Sequence, residues 1–200
     1  MKRFIAVLCA AVMTVATCVT PFAAISGKEP AAIQSDSVVV DTASEFTDQA
    51  VADAIAEKAA AGITVVCVEV KPEDFQEGTL ERSIAEVFAS KDGTTAKAFD
   101  AGKVTDDTVT STDNNKFSKS KLVVASKFMC LRFSDGTSLP AGKIRVTMKL
   151  PETLKGKNLL IMQVDPEKQT VYFVEVKVEN GNVIANLPCT GPFLFLEVKA

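Results

Sequence analysis

Histidine and tryptophan are absent from the 200 residues, and tyrosine occurs once, at Tyr172. Without histidine there is no Ser-His-Asp or Cys-His nucleophile pair, no His-ligated zinc and no side-chain base that titrates near neutrality unperturbed. Cysteine is sparse, with five residues and no Cys-x-x-Cys spacing, which excludes a dithiol redox motif. Eight prolines and ten glycines exclude collagen and low-complexity polymers. No Asn-x-Ser/Thr sequon occurs. What is present is ordinary for a globular chain: 47% hydrophobic and 24% charged residues, too apolar for a disordered tail.

Residues 1–26 have the form of a signal peptide. Lys2 and Arg3 open it, Phe4 to Val19 is uncharged and mostly apolar, and Pro21 breaks the helix. Ala24-Ile25-Ser26 then places small residues where a signal peptidase inspects them. The competing reading is a retained anchor, but an apolar stretch of about 16 residues falls short of the roughly 20 that span a bilayer. A lipid anchor on Cys18 fits poorly, because Thr17 precedes it. The expectation is therefore a secreted, extracellular protein with no membrane contact after cleavage. Cleavage after Ser26 removes Lys2 and Arg3 and leaves acidic residues in excess. That balance argues against nucleic acid as a partner. It also removes Cys9 and Cys18 and leaves Cys67, Cys130 and Cys189, all in apolar, strand-like runs that suggest small buried hydrophobes. One pair among the three could bridge, and the sequence does not choose it.

The chain divides into a signal peptide (1–26), an N-terminal arm (27–41), a small α/β unit (42–104), a polar linker or loop (105–116) and a β-sandwich (117–200). Thr42 to Glu45 forms a capping-box pattern, and apolar residues then recur at helical spacing up to Gly62, which predicts a helix over 43–61. A β-branched run from Ile63 to Val70 predicts a strand, and Leu80, Ile84, Val87 and Phe88 predict a helix over 79–90 closed by Asp92-Gly93. Ala96 to Ala101 reads as a short strand. Leu122 to Phe133 reads as two short strands or one bent strand, and Ile144 to Leu150 alternates cleanly. Further strands fall over 159–164, 172–178, 183–187 and 193–198, with Asn180-Gly181 as a type I′ hairpin turn. Short strands at regular spacing argue a β-sandwich.

Within residues 144–200, Leu160-Ile161-Met162-Gln163-Val164-Asp165-Pro166, Val171-Tyr172-Phe173 and Pro188-Cys189-Thr190-Gly191-Pro192-Phe193 carry a resemblance. This region resembles the C-terminal β-sandwich of small, uncharacterised secreted proteins of Gram-positive gut anaerobes, and more weakly the likeness extends to residues 43–72. It is also similar to Ig-like modules of larger bacterial surface proteins. The resemblance implies an Ig-like fold and an extracellular location, and it implies no catalytic residue.

Four constellations merit weighing. Ser118-Lys119-Ser120-Lys121 matches the Ser-x-x-Lys of penicillin-binding enzymes, but it enters a strand rather than a buried helix, and no Ser-Asp-Asn or Lys-Thr-Gly follows. Asp106, Asp107 and Asp113, with Asn114 and Asn115, offer oxygen ligands for a weak extracellular calcium site, though not at EF-hand spacing. Glu69, Glu73, Asp74 and Glu77 gather at a strand end, as a carboxylate-dependent hydrolase would need, but nothing in the sequence pairs them. Arg132 shares a strand face with Cys130, a thin basis for a reactive thiol.

The expected fold is α+β: an N-terminal helix-strand-helix unit with a C-terminal antiparallel Ig-like β-sandwich. The expected function is a non-enzymatic interaction or structural module at the bacterial cell surface or in the extracellular matrix. It has no required cofactor, and its partner is an extracellular protein or a cell-wall glycan. Alternatives are a polysaccharide- or cell-wall-binding module assisted by calcium, a hydrolase using paired carboxylates, and self-association through residues 193–199 if these lie at a sheet edge.

Overall fold

The computed structural model describes residues 38–90 and 93–200; the expected signal peptide and most of the arm lie outside them. Among the described residues the chain is an antiparallel β-rich fold with three α-helices. In chain order the strands are β1 (Val38–Val40), β2 (Val65–Glu69), β3 (Thr108–Thr110), β4 (Lys116–Ser118), β5 (Leu122–Val124) and β6 (Met129–Phe133). They continue with β7 (Ile144–Lys149), β8 (Leu159–Asp165), β9 (Thr170–Glu179), β10 (Asn182–Leu187) and β11 (Phe193–Val198). The helices are α1 (Gln49–Ala60), α2 (Leu80–Ala89) and α3 (Thr95–Ala101).

One continuous path runs β1-β7-β10-β9-β8-β11-β6-β2, with β5 alongside β11. Strand β9 is long enough to serve both halves: residues 170–175 pair with β8, and residues 176–179 pair with β10. The sheet curls until its end strands β1 and β2 lie side by side, with Cα atoms within 8 Å but no ladder between them. The result is a nearly closed, barrel-like sheet. The expected helix-strand-helix unit does not stand apart, because β2 is laddered to β6 from Val65↔Phe133 to Glu69↔Met129.

Burial explains which strands alternate. In β7 the pattern Ile144, Val146 and Met148 in, Arg145, Thr147 and Lys149 outward follows from one covered face. All seven residues of β8 are buried, as are Phe193 to Leu196 of β11. Leu159, Ile161, Phe193 and Phe195 face the interior of the curled sheet, and Leu160, Met162, Leu194 and Leu196 face a second core under α2 and α3. Each such side chain contributes about 1.5–3 kcal/mol through burial. Helix α2 offers Leu80, Ile84, Ala85 and Phe88 to this layer, where Phe88 stacks on Phe128 at 6.1 Å between centroids.

Two local expectations are corrected. Residues 96–101 belong to α3, not to a strand; Thr94 caps it by accepting from the Lys97 amide at 3.2 Å, and Ala98 and Phe99 are buried. The Thr42–Glu45 box does not start α1, which begins at Gln49 after Asp48. The preceding segment is tied instead to β7 and the residue before it, with the Asp41 amide donating to Arg145 O and the Asp48 amide to Lys143 O, each at 3.0 Å. Thr47 Oγ1 also donates to Asp41 O at 2.8 Å, so tertiary bonds override the local cap.

The strand between β5 and β6 is broken, as expected, and Ser126 mends the break. Its buried hydroxyl accepts from the Phe195 amide at 2.8 Å and donates to Lys127 O at 2.9 Å. The Asn180-Gly181 turn has φ of 50° and 77°, the two positive values that a type I′ hairpin needs. Strand β11 has β8 on one flank and β5 and β6 on the other, so residues 193–198 are not a sheet edge.

Candidate functional site

Residues 105–116, expected as a polar linker or loop, contain β3 and the turn that leads into β4. The hairpin is seated on β9: the Thr112 amide donates to Phe173 O at 2.8 Å, and Val109 is buried. Ser111 Oγ donates to Glu175, and Asn115 Nδ2 reaches the same carboxylate at 2.8 Å. Ser111 and Asn115 are therefore occupied in docking the turn.

This hairpin separates the three aspartates. Asp106 and Asp107 precede β3, whereas Asp113 lies in the turn beyond it, so the strand does not bring them together. At about 3.3 Å per residue, four steps from Asp107 to Ser111 already span about 13 Å. Among the described residues no group of three or more His, Cys, Asp or Glu is placed to hold a metal ion.

Three of the four clustered carboxylates do meet. Glu69, Glu73 and Asp74 line a depression of about 430 Å³ on the outer face of β2 and β6, with Val66, Val68, Lys71 and Arg132. Glu69 is paired with Lys127 at 2.7 Å, and Asp74 accepts from the Lys71 amide at 2.8 Å, so both already have neighbours to serve. Glu77 points instead toward Arg82, at 3.7 Å. The thiols are free and buried. Cys67 packs inside the curled sheet and Cys130 in the layer under the helices, on opposite faces of the β2–β6 ladder. Burial, with Cys130 nearby, pushes the Cys67 thiol up to about 12. Burial likewise raises Cys130 despite a hydrogen bond from Arg132, and raises Cys189 to about 11. A thiol held protonated is a poor nucleophile.

A different place brings together two sequence features that are 11 residues apart. The β3–β4 ladder pairs Thr108 with Ser118, and the Lys119 amide then donates to Asp107 O at 2.8 Å. Asp107 thereby comes beside Ser118 and Ser120. Helix α3 forms the facing wall. The resulting groove, about 580 Å³, is lined by Thr95, Ala96, Phe99, Asp107, Ser118, Lys119, Ser120 and Leu122. Phe99 and Leu122 are 1% and 3% exposed and form its floor, while Asp107, Ser118 and Ser120 lie open at the rim.

Each polar group here has a defined state. Lys119 is committed to the wall: its ammonium donates to Val104 O at 2.8 Å and lies 5.8 Å from the Phe99 ring centroid. Thr95 Oγ1 accepts from the Val124 amide at 3.0 Å, which leaves its own proton to donate. Ser118 and Ser120 hydroxyls share one hydrogen bond at 2.9 Å. The Asp107 carboxylate has no hydrogen-bond or ion-pair partner among the described residues. The Ser-x-x-Lys geometry of a penicillin-binding enzyme is not formed, since Lys119–Lys121 is a single 3-10 turn that leads into β5. Sequence reasoning singled out Asp107 and Ser118 for other chemistries and missed Thr95 and Ala96, which sit on the helix misread as a strand.

Comparison with protein-family models, with curated proteins and with solved structures finds no match.

Proposed function

We propose that this protein is a secreted, non-enzymatic interaction module of the bacterial cell surface or extracellular matrix, and that the groove between α3 and the β4–β5 connection is its contact. The observation that carries the proposal is the exposed polar rim, the unpartnered Asp107 carboxylate beside the mutually hydrogen-bonded Ser118 and Ser120 hydroxyls, above an apolar floor. A mostly pre-formed concavity with a few convergent polar groups is the usual form of a binding site. Rigid elements frame it: α3 is docked in the second core, and the hairpin is hydrogen-bonded to β9. Export through residues 1–26 and the acidic balance support an extracellular partner, a protein or a cell-wall glycan, over nucleic acid. In the finer fold reading, the two halves of the path on either side of β9 act as the layers of an Ig-like sandwich. Fold does not fix function, so that reading adds nothing to the choice of ligand.

A second reading, glycan binding assisted by calcium, draws on Asp107, which lines the groove, while Asp106 and Asp113 do not. The hydrolase reading is disfavoured, because Glu69 and Asp74 are engaged by Lys127 and the Lys71 amide. The test is to incubate the purified secreted chain with cell walls of the producing organism, with and without calcium, and sediment them. Co-sedimentation supports a surface-binding module, and protein left wholly in the supernatant contradicts the cell-wall contact and leaves a soluble extracellular partner.

A further inference from the structure

We infer that the groove takes a neutral saccharide, through a vicinal diol held between the Asp107 carboxylate and the Ser118–Ser120 hydroxyl pair; this rests on the groove being the contact surface. The donor and acceptor count leads there. An ionised carboxylate only accepts, on two oxygens with about four lone-pair sites, so Asp107 needs a ligand that donates. Two adjacent hydroxyls donate to its two oxygens and still have lone pairs of their own. The site supplies protons for those lone pairs: the Thr95 hydroxyl, whose oxygen is occupied by the Val124 amide, and the one serine O–H that the Ser118–Ser120 bond leaves over. Exposed Ala96, backed by the buried Leu122 and Phe99, completes the lining and offers the apolar surface for the C–H face of a pyranose ring.

The same groups disfavour the other ligand classes. An anion would meet Asp107 unscreened, because the only ammonium in the lining, Lys119, is turned to Val104 O and the Phe99 ring. An apolar ligand would bury the carboxylate unpaired and strand the one serine O–H that the Ser118–Ser120 bond leaves over, which costs more than the floor returns. A metal ion finds no group of three acidic or sulfur ligands among the described residues. The groove has no exposed aromatic ring to stack on a sugar, so binding is weak, in the millimolar range typical of a few exposed hydrogen bonds.

The experiment is a titration of the full secreted chain, followed by backbone amide NMR, with neutral tetrasaccharides of glucose, mannose, galactose and xylose. At least one is expected to shift the amides of Thr95, Asp107, Ser118 and Ser120 together, unchanged by EDTA. Asp107→Asn replaces one acceptor oxygen with a donor and is expected to weaken that binding about tenfold, since charge-assisted hydrogen bonds carry it. Ser118→Ala is expected to weaken it less. Both positions are exposed, so the folded spectrum is retained. Absence of shifts at these four residues with every sugar overturns the inference, as does binding that Asp107→Asn leaves intact. Loss of binding in EDTA overturns it in favour of calcium. Co-sedimentation with cell walls but no groove shifts removes this inference alone. Failure of both experiments removes the cell-wall contact as well.

Discussion

Gly191 stands where β11 is approached by the end of β8, and substituting alanine there is a severe test of how closely those segments pack. A Cβ at Gly191 would lie 2.0 Å from Val164 O and 2.7 Å from Pro166 Cδ. Ordinary contact begins at 3.4 Å, so the carbonyl must retreat by about 1.4 Å. It has little freedom to do so. The Val164 amide donates to Pro192 O at 2.9 Å, Cys189 Sγ reaches Val164 O at 3.4 Å, and Gln163 Nε2 spans Cys189 O and Gly191 O at 2.8 and 3.2 Å. Overpacking a rigid site costs about 1–3 kcal/mol, and losing one buried hydrogen bond adds about 1 kcal/mol. The expected total of about 3 kcal/mol lowers Tm by about 9 °C in a chain of this size. Gly62→Ala is the control: its φ of +76° strains an alanine, but nothing lies within 4 Å. That change costs about 1–2 kcal/mol. Thermal unfolding followed by far-UV circular dichroism ranks the two. A Gly191→Ala protein that melts within about 2 °C of the parent, or above Gly62→Ala, refutes the packing argument.

Other outcomes follow from the same interactions. Cys67, Cys130 and Cys189 are expected to resist iodoacetamide at pH 8 in the folded protein and to react on unfolding, as mass spectrometry would show; rapid native labelling contradicts the raised thiols. Burial pushes the Asp165 carboxyl up, but hydrogen bonds from the Lys168 and Glu167 amides and the Lys168 ammonium outweigh it, and its pKa is lowered from 3.8. Lys157 and Lys199 likewise lower Glu197 from 4.5. Carboxyls lowered on folding stabilise above their ordinary pKa and lose that contribution as pH falls through the folded value. Urea midpoints are therefore expected to fall on acidification below about pH 5, less steeply in Asp165→Asn; parallel profiles contradict this. Phe128→Ala removes a ring packed against Phe75 and Phe88, at 6.2 and 6.1 Å, and is expected to cost about 4 kcal/mol by urea denaturation; a loss under 1 kcal/mol means α2 is not docked. Glu175→Ala frees Ser111 and Asn115, and faster amide exchange is expected at 111–115 than in the parent; unchanged exchange means the carboxylate does not pin the hairpin.

Much of the strand framework was legible because one face of it meets water. Ile144 to Lys149 alternates for that reason, and Asn180-Gly181 announces its turn through the backbone that those residues tolerate. The runs Leu159 to Val164 and Phe193 to Leu196 read as strands too, but their lack of alternation has a cause the sequence does not locate: a second core under α2 and α3. Helix α3 was misread because seven residues complete barely two turns, too few to separate a period of 3.6 from one of 2. The capping box at Thr42 failed because β7 and the residue before it hold residues 41–48 by ladder-like bonds that no local pattern reports. The candidate groove was the least legible feature. Asp107 and Ser118 stood in the sequence as separate motifs, and only the Thr108↔Ser118 register and the wall of α3 make them one site.

The central claim is that this groove is the surface through which the protein engages the cell envelope. Ala96→Trp tests it most directly, because Ala96 is exposed on α3 and an indole there fills the groove without removing a polar group. Parent and variant, matched by melting temperature, would be sedimented with cell walls of the producing organism. The account predicts that the parent pellets with the walls and Ala96→Trp stays in the supernatant. Equal sedimentation of the two proteins, or none by either, contradicts it.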